Sequence, residues 1–363
     1  MVNIFFFIGT EAELIKIFPV MIECKSREIN YHIIASGQND IKNSVIFQKT
    51  DCGKVELELS DEKDIKKTAL GLLTWWIRTY KKAGSVIKKT FPDCNFTNSY
   101  MIVHGDTVST YMGARIGKKL GMTVCHVEAG LRSHHLLNPF PEEIDRLLTS
   151  RIARVHFAPG DMAEKNLKHA KGSVINTKQN TLLDSLRISE KIDECGTIKS
   201  VLSDKKPYFV FVMHRQENLA NEKLVRTAVE NVISVSNNCN CVLILHAITK
   251  QMFEKLGLLS QLEGNSHIIL LPRVDYFSFM KLLNNSEFVI TDGGSNQEEL
   301  SYMGKPTLIL RKTTERNEGI GKNAILFSDI SDIDLFSKTY NNYIYENTID
   351  ENPSKKIVDY FRV

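Results

Sequence analysis

Short, almost uninterrupted apolar segments alternate with amphipathic segments along the first half of the chain. Segments whose apolar residues recur three and four positions apart predict helices, which we place at 12–26, 62–90 and 107–120. The apolar segments predict strands at 3–8, 31–35, 100–104, 122–127 and 154–158. Apolar strands that alternate with helices are typical of a parallel sheet covered on both faces.

The same pattern begins again in the second half of the chain. A lysine-rich, weakly periodic stretch from about 165 to 206 separates the halves, and we interpret it as a crossing between two domains. Beyond it the sequence predicts helices at about 221–236, 276–284 and 297–303. It predicts strands at 208–213, 241–245, 267–271, 288–290 and 306–310. The fold class is therefore α/β, with two Rossmann-like, doubly wound domains. If these domains face a central cleft, ligands bind there at the carboxyl ends of the strands.

Length and charge exclude several classes of protein. The 363 residues are enough for two domains of about 150 to 200 residues. The net charge of +3 is too small to indicate a nucleic-acid partner. No apolar run approaches the roughly 20 residues that cross a bilayer, and the apolar start lacks the basic residues of a signal peptide. We expect a cytoplasmic protein without a membrane partner, whose seven scattered cysteines are reduced thiols.

Three motifs in the first half place carboxylates on turns beside a Gly or Pro. They are His104-Gly105-Asp106-Thr107, His126-Val127-Glu128-Ala129-Gly130-Leu131-Arg132 and Pro141-Glu142-Glu143. Buried carboxylates are costly unless they are paired or have a function, so the three motifs predict a pocket that moves protons. His104 and His126 fall in strands or at strand ends, where we expect structural or supporting roles. Because His134-His135 lacks partners at helical spacing, no metal site is expected.

The second half carries candidate anion-binding residues. In Thr291-Asp292-Gly293-Gly294-Ser295-Asn296-Gln297-Glu298-Glu299, two glycines precede a predicted helix, where backbone N–H groups and the helix dipole favour a phosphate. The alternative is an ordinary turn with Ser295 or Asn296 as the N-cap. His214 with Arg215 follows a strand, which suits an acid/base or a diphosphate ligand, although an isolated histidine is often structural. Arg316 follows another strand and suits a phosphate, or lies in a solvated charged loop.

Two nucleotide-binding motifs are absent from the sequence. A single glycine, Gly9, follows the first strand instead of a G-x-G-x-x-G motif, and there is no G-x-x-x-x-G-K-[ST] loop. Neither a nicotinamide dehydrogenase nor a P-loop phosphotransferase is therefore favoured.

Together these motifs resemble the UDP-N-acetylglucosamine 2-epimerases, specifically the non-hydrolysing bacterial branch, over nearly the whole length. Besides the carboxylate motifs, the resemblance rests on Gly9-Thr10 with Lys16, Arg146 after the Pro-Glu-Glu motif, His214-Arg215, Thr291-Asp292-Gly293-Gly294 and Thr313-Thr314-Glu315-Arg316. It implies a glycosyltransferase-B-like fold that forms a homodimer. The implied domains are a catalytic N-terminal domain at 1–178, a UDP-binding domain at 179–349, and a C-terminal helix at about 350–363 packing back onto the first.

The resemblance also assigns roles to individual residues. Four fall on the catalytic positions of the family: Asp106, Glu128, Glu142 and His214. Ten fall on positions that bind the substrate: Thr10, Lys16, Arg146, Arg215, Phe279, Gly293, Gly294, Ser295, Glu299 and Arg316. Neither a metal nor a cofactor is implied. One departure is Glu11, which stands where the family usually has an arginine.

The implied reaction interconverts UDP-N-acetylglucosamine and UDP-N-acetylmannosamine, or a close UDP-2-acetamido sugar. UDP leaves C1 as the C2 proton is lost, which gives a 2-acetamidoglucal, and UDP then adds back with the proton on the other face. Protonation of two faces needs two acid/base groups, in accord with several carboxylates. Alternatives are a hydrolysing 2-epimerase that releases N-acetylmannosamine and UDP, a glycosyltransferase of the same fold, and a nucleotide-sugar-binding protein without turnover.

Overall fold

The computed structural model describes residues 3–61, 63, 68–134, 141–192, 196–312, 317–327 and 332–361. The chain forms two compact units. Unit 1 consists of Met1–Ile188 together with Glu351–Val363, and unit 2 consists of Ser189–Asp350. Unit 2 is thus inserted between two segments of unit 1.

Unit 1 is built on a seven-stranded sheet in which all neighbouring strands are parallel. Its strands are β1 (Asn3–Ile8), β2 (Tyr31–Ala35), β3 (Leu57–Glu58), β4 (Ser99–His104), β5 (Thr123–Val127), β6 (Val155–Ala158) and β7 (Ser173–Asn176). The spatial order is β3-β2-β1-β4-β5-β6-β7, which contains the order typical of Rossmann domains. The strand order reverses between β1 and β4, so the loops after these two strands lie side by side.

Helices connect the strands of unit 1. They are α1 (Glu11–Ser26), α2 (Val45–Lys49), α3 (Ala69–Thr90), α4 (Val108–Leu120), α5 (Glu142–Ile152), α6 (Asp161–Asn166) and α7 (Leu182–Glu190), which ends just beyond the unit boundary. The first turn of α4 is fixed by a capping box in which Thr107 accepts a hydrogen bond from the Thr110 N–H. Helix α4 ends at Gly121, whose left-handed φ of 83° suits glycine.

The C-terminal helix α16 (Pro353–Asp359) belongs to unit 1, where it packs on α1. The Ser354 N–H donates to Asp184 Oδ2 at 2.8 Å, and Arg27 pairs with Asp359 at 2.5 Å. The aromatic ring of Phe361 contacts that of Tyr100 with centroids 4.9 Å apart. The last segment of the chain is therefore part of the hydrophobic core of unit 1.

Unit 2 is built on a six-stranded parallel sheet. Its strands are β8 (Tyr208–Val212), β9 (Asn240–Leu245), β10 (Ile268–Pro272), β11 (Val289–Thr291), β12 (Thr307–Ile309) and β13 (Ala324–Leu326). Their order is β10-β9-β8-β11-β12-β13, so the reversal falls between β8 and β11. The helices are α8 (Lys199–Ser203), α9 (Gln216–Leu219), α10 (Glu222–Ser236), α11 (Ala247–Lys255), α12 (Leu259–Glu263), α13 (Tyr276–Asn285), α14 (Gly294–Met303) and α15 (Asp332–Thr339).

The two parallel sheets confirm the predicted α/β class with two Rossmann-like units. The predicted start of one helix at 297 is wrong, because α14 begins at Gly294. Its N-cap is Gly293, without a side-chain cap, so the alternative with Ser295 or Asn296 as N-cap is also wrong. Among the described residues no helix is both long and apolar enough to cross a membrane.

Candidate active site

Two of the residues proposed as catalytic, Asp106 and Glu128, lie at the carboxyl edge of the sheet of unit 1, near the reversal of strand order. Gly9 and Thr10 follow β1, and Gly105 and Asp106 follow the neighbouring strand β4. Glu128 follows β5, the next strand in the sheet. Ligands of doubly wound sheets bind at this edge, so the topology brings together the turns that the sequence singled out.

Glu128 is buried in a strained backbone conformation. Its φ of 63° is left-handed, which is costly for a residue with a side chain and is typical of functional sites. Oε2 accepts a hydrogen bond from Lys16 Nζ at 2.5 Å and another from the Asn180 amide. His104 Nε2 lies 3.8 Å from the same oxygen. The carboxylate of Glu128 is thus held in one position by charge and by hydrogen bonds.

Asp106 and Glu143 share the guanidinium of Arg146. Arg146 Nη2 lies 2.5 Å from Asp106 Oδ2, and Nη1 lies 3.5 Å from Glu143 Oε2. Glu143 is fully buried and also binds Arg132 at 2.5 Å and the Ser133 N–H at 3.1 Å. Glu143 therefore ties the start of α5 to Arg132 and Ser133, whereas Asp106, with about a quarter of its side chain exposed, remains accessible.

Two carboxyl groups in the first turn of α5 have buried oxygens without a hydrogen-bond partner among the described residues. They are Glu142 Oε2 and Asp145 Oδ2. Burial, and then the neighbouring charges of Asp106 and Glu142, raise the pKa of Asp145 to about 7. Asp145 thus lies beside two of the carboxylates that the motifs predicted, although no motif singled it out.

Glu13 connects β1, α1 and α4 near the same edge. Its carboxylate accepts hydrogen bonds from the Gly9 N–H at 2.5 Å, the Thr10 N–H at 3.2 Å, and the hydroxyls of Thr107 and Thr110. Burial outweighs these hydrogen bonds and raises the pKa of Glu13 to about 7. The Thr10 hydroxyl accepts from the Glu13 N–H at 3.3 Å, so it caps α1.

The two strand-end histidines are buried and support the acidic turns. His126 Nε2 lies 2.7 Å from the carbonyl oxygen of Gly105, which ties β5 to the turn that carries Asp106. Burial lowers the pKa of His104 to about 3 and that of His126 to about 4, so both rings are neutral at physiological pH. Their placement agrees with the predicted supporting role.

In unit 2, the loops after β8 and β11 meet at the reversal of strand order. Asp292 is fully buried and accepts hydrogen bonds from the backbone N–H groups of His214, at 3.0 Å, and Arg215, at 2.9 Å, and from the Asn218 amide at 3.1 Å. Burial alone would raise the pKa of Asp292, but His214 and the Arg215 N–H lower it below its ordinary value. Asp292 is therefore a fixed anion that joins the two loops.

The imidazole of His214 lies between Asp292 and a second histidine. Its Nδ1 is 3.1 Å from Asp292 Oδ1, an ion-pair distance once the ring is protonated. His246 stacks on His214 with ring centroids 4.8 Å apart. Burial, and then His214 and Arg273, lower the pKa of His246 to about 4, so it packs as a neutral ring. The ring of His214 is therefore held in place by Asp292 on one side and by His246 on the other.

The glycine turn begins α14 beside His214. A Cβ on Gly293 would lie 2.6 Å from Asn296 Oδ1 and 3.1 Å from His214 Cε1, so only glycine allows this close approach. Gly294 and Ser295 form the first turn of α14, whose N–H groups have no partner within the helix. Ser295 is exposed. The turn has the properties of a phosphate-binding helix N-terminus.

The remaining predicted residues of unit 2 occupy α13 and α14. Glu299 is buried in α14, and Phe279 is half-buried in α13. Burial, and then Glu299 and Glu298, raise the pKa of Tyr276 well above its ordinary value, which places this phenol near both carboxylates. Arg316, which the sequence predicted to bind phosphate, lies outside the described residues.

Four supporting residues were missed by sequence reasoning: Glu13, Asp145, Asn180 and His246. Asn180 lies in a polar stretch without periodicity, and it donates a hydrogen bond to Glu128, which is 52 positions away. No local signal therefore identifies it. Within the described ranges, no group of three or more His, Cys, Asp and Glu side chains is arranged to hold a metal ion.

Comparison with known proteins identifies the family. The sequence model described as UDP-N-acetylglucosamine 2-epimerase matches residues 22–341. The chain is 30% identical over 333 residues to a UDP-N-acetylglucosamine 2-epimerase of Methanocaldococcus jannaschii, covering 89% of this chain and 87% of the relative. It is 29% identical over 386 residues to the UDP-N-acetylglucosamine 2-epimerase of Salmonella borreze, covering 99% and 98%.

Solved structures agree with this result. The M. jannaschii UDP-GlcNAc 2-epimerase in complex with UDP-GlcNAc and UDP has a TM-score of 0.76 at 25% identity, over 99% of each chain. The Neisseria meningitidis enzyme bound to UDP-GlcNAc has a TM-score of 0.79 at 25% identity, again over 99% of each chain. The chain therefore belongs to the UDP-N-acetylglucosamine 2-epimerase family, which confirms the resemblance seen in its motifs and its predicted class as an isomerase.

Proposed function

We propose that this protein is a non-hydrolysing 2-epimerase that interconverts UDP-N-acetylglucosamine and UDP-N-acetylmannosamine. The observation that supports the proposal is that Asp106 and Glu128 follow neighbouring strands at the carboxyl edge of the first sheet, while Asp106 and Glu142 both act on the charge of Asp145. The relatives named above are 2-epimerases, and two of their structures hold UDP-GlcNAc.

Residues of unit 1 carry out the proton transfers. The C2 hydrogen is not acidic, because no carbonyl is adjacent to it, so its removal is coupled to departure of UDP from C1. The C2–H electrons form the C1–C2 double bond of 2-acetamidoglucal, and the C1–O electrons leave with UDP. In the second half, a proton reaches the opposite face of C2 while UDP adds to C1. The two faces require two acid/base groups, which Asp106, Glu128 and Glu142 supply.

Residues of unit 2 stabilise the departing UDP. The N–H groups of the Gly293-Gly294-Ser295 turn stabilise the diphosphate, and the helix dipole of α14 adds to their effect. Arg215 and a protonated His214 supply positive charge, and Asp292 stabilises the imidazolium. Glu299 binds the ribose hydroxyls, and Phe279 lies against the uracil. Thr10, Lys16, Arg146 and Arg316 complete the proposed set. We further propose that the protein acts in the cytoplasm as a homodimer.

Incubation with UDP-N-acetylglucosamine in deuterated water tests this function against its rivals. Proton NMR is expected to show deuterium at C2 and a UDP-linked manno product. Free N-acetylmannosamine would instead indicate a hydrolysing epimerase. Turnover only with an added acceptor would indicate a glycosyltransferase, and UDP binding without turnover would indicate a binding protein.

Asp106→Asn and Glu128→Gln are each expected to abolish C2 exchange while changing UDP affinity by less than about tenfold, because neither residue belongs to unit 2. Asp161→Asn, which removes an exposed carboxylate of unit 1 paired with Lys178, serves as the matched control and should leave exchange unchanged. Full exchange by either of the first two variants would remove those carboxylates from the mechanism.

A further inference from the structure

Asp145 occupies a position in the acidic cluster that the proposed mechanism does not use. It lies one turn after Glu142 on α5, and its backbone N–H donates to the Pro141 carbonyl at 3.1 Å. Residues three apart lie on the same face of a helix, so Asp145 and Glu142 share a face. The residue is only 6% exposed, and Oδ2 has no hydrogen-bond partner in the described part of the chain.

Among the described residues, the charges that act on Asp145 do not compensate a carboxylate. The neighbouring groups that act on it are Asp106, from the turn after β4, and Glu142, from its own helix, and both are acidic. The nearest arginine in sequence, Arg146, is already paired with Asp106 and Glu143. The amino end of α5 favours negative charge, but it is shared by Glu142, Glu143 and Asp145.

A buried carboxyl group without a cation is much more stable as the neutral acid. As a neutral acid, Asp145 places no charge beside its acidic neighbours. As a carboxylate, it would add a third negative charge beside Asp106 and Glu142. The raised pKa of Asp145, about 7, agrees with this account.

We propose that Asp145 is a positioning residue of the epimerase site: as a neutral acid it keeps a third negative charge away from Asp106 and Glu142, and its ionisation inactivates the cluster. The inference rests on the proposed function, because it assigns Asp106 and Glu142 to proton transfer. Ionisation of Asp145 raises the proton affinity of both neighbours by repulsion. The site is therefore active while Asp145 is protonated and loses activity at the higher pH values where Asp145 is ionised.

Asp145→Asn tests the proposal, because asparagine keeps the shape and a hydrogen donor but cannot ionise. In the wild type, kcat for C2 exchange is expected to fall about sixteenfold between pH 7 and 8.5, since a group that titrates near 7 is about half neutral at pH 7 and about 3% neutral at pH 8.5. In Asp145→Asn, kcat at pH 8.5 should stay within about twofold of its value at pH 7. Asp161→Asn is the control and should keep the wild-type profile. If kcat of Asp145→Asn falls between pH 7 and 8.5 as steeply as that of the wild type, the proposal is wrong.

A second measurement does not depend on turnover. A carboxyl whose pKa is raised in the folded state keeps its proton there while the unfolded chain loses it, so stability falls as pH rises from about 4 to 7. Glu13 contributes in the same direction, so Asp145→Asn should make this pH dependence of the unfolding midpoint shallower without abolishing it. An equal slope in both proteins would show that Asp145 is not a neutral acid.

The two measurements separate the possible failures. If the wild type exchanges C2 and loses activity above pH 7, and Asp145→Asn shows the same loss, the proposed role of Asp145 is wrong and the epimerase function stands. If the wild type shows no exchange at any pH, the proposed function is wrong and Asp145 has no reaction to support. The stability slopes then still decide whether it is a neutral acid.

Discussion

Lys16 and Glu128 show how a single residue can be both structural and functional. Both side chains are about nine-tenths buried, and their charged atoms lie 2.5 Å apart. A buried ion pair contributes little net stability, because desolvation offsets the attraction, but removal of one partner leaves an uncompensated charge. The resemblance to the family assigned Lys16 to substrate binding, and the structure shows that in the free protein its ammonium group neutralises Glu128.

Lys16→Met is therefore expected to destabilise unit 1 by about 3 to 5 kcal/mol, because it leaves the buried Glu128 carboxylate without its paired cation. The measurement is urea unfolding followed by tryptophan fluorescence. Lys42→Met breaks an exposed pair with Glu58 at 2.8 Å and is the matched control, for which no measurable change is expected. Equal midpoints for Lys16→Met and the wild type would show that Glu128 is protonated or solvated in the folded protein.

At the scale of helices and strands, agreement with the sequence follows burial. Strands in the interior of each sheet, such as β1 and β8, are uniformly buried and appear in the sequence as apolar runs. The edge strands β3 and β7 have only two and four residues and are largely half-exposed, so their few apolar residues do not form a run that stands out from loops. Both β7 and Asn180, which donates a hydrogen bond to Glu128, lie in the weakly periodic stretch between the predicted domains, and neither was predicted from the sequence.

The candidate site divides in a similar way. Glu128 and Gly293 stand in motifs whose turn residues mark strand ends, so sequence alone located them. Asp145 and His246 matter because of what the fold places beside them: Asp106 in one case and the ring of His214 in the other. Such neighbours come from different elements, and local pattern carries no information about them.

Helix α4 packs against the sheet through glycines, and this close approach can be tested. A Cβ at Gly113 would lie 2.6 Å from Phe7 Cδ1 and 2.8 Å from Val103 Cγ1. Gly113→Ala should destabilise the protein by about 1 to 3 kcal/mol through overpacking, measured by urea unfolding. Gly84→Ala, on α3, meets no atom closer than 3.8 Å and should instead stabilise by up to about 1 kcal/mol through helix propensity. A stabilising Gly113→Ala would mean that α4 can move away from the sheet.

At the scale of the whole molecule, the connectivity is discontinuous. The chain leaves unit 1 near Ile188, forms unit 2, and returns at Glu351 to complete unit 1. The returning helix buries Ile357 and Val358 completely, so it contributes core and not only surface. Both tryptophans, Trp75 and Trp76, belong to unit 1, so fluorescence reports on that unit alone.

Ile357→Ala is accordingly expected to lower the stability reported by tryptophan fluorescence by about 2 to 5 kcal/mol, because it leaves a cavity in a fully buried contact. Lys355→Ala, at an exposed position of the same helix, should leave the fluorescence transition unchanged. If Ile357→Ala behaves like its control, α16 is dispensable for the folding of unit 1.

This connectivity sets an order of events during biosynthesis. The ribosome synthesises Glu351–Val363 only after every residue of unit 2, so unit 2 can fold while unit 1 still lacks its last helix. Until then the face of α1 that receives this helix is open to water and to other apolar surfaces. The exposed apolar surface therefore persists throughout the synthesis of unit 2, and it belongs to the part of the protein made first.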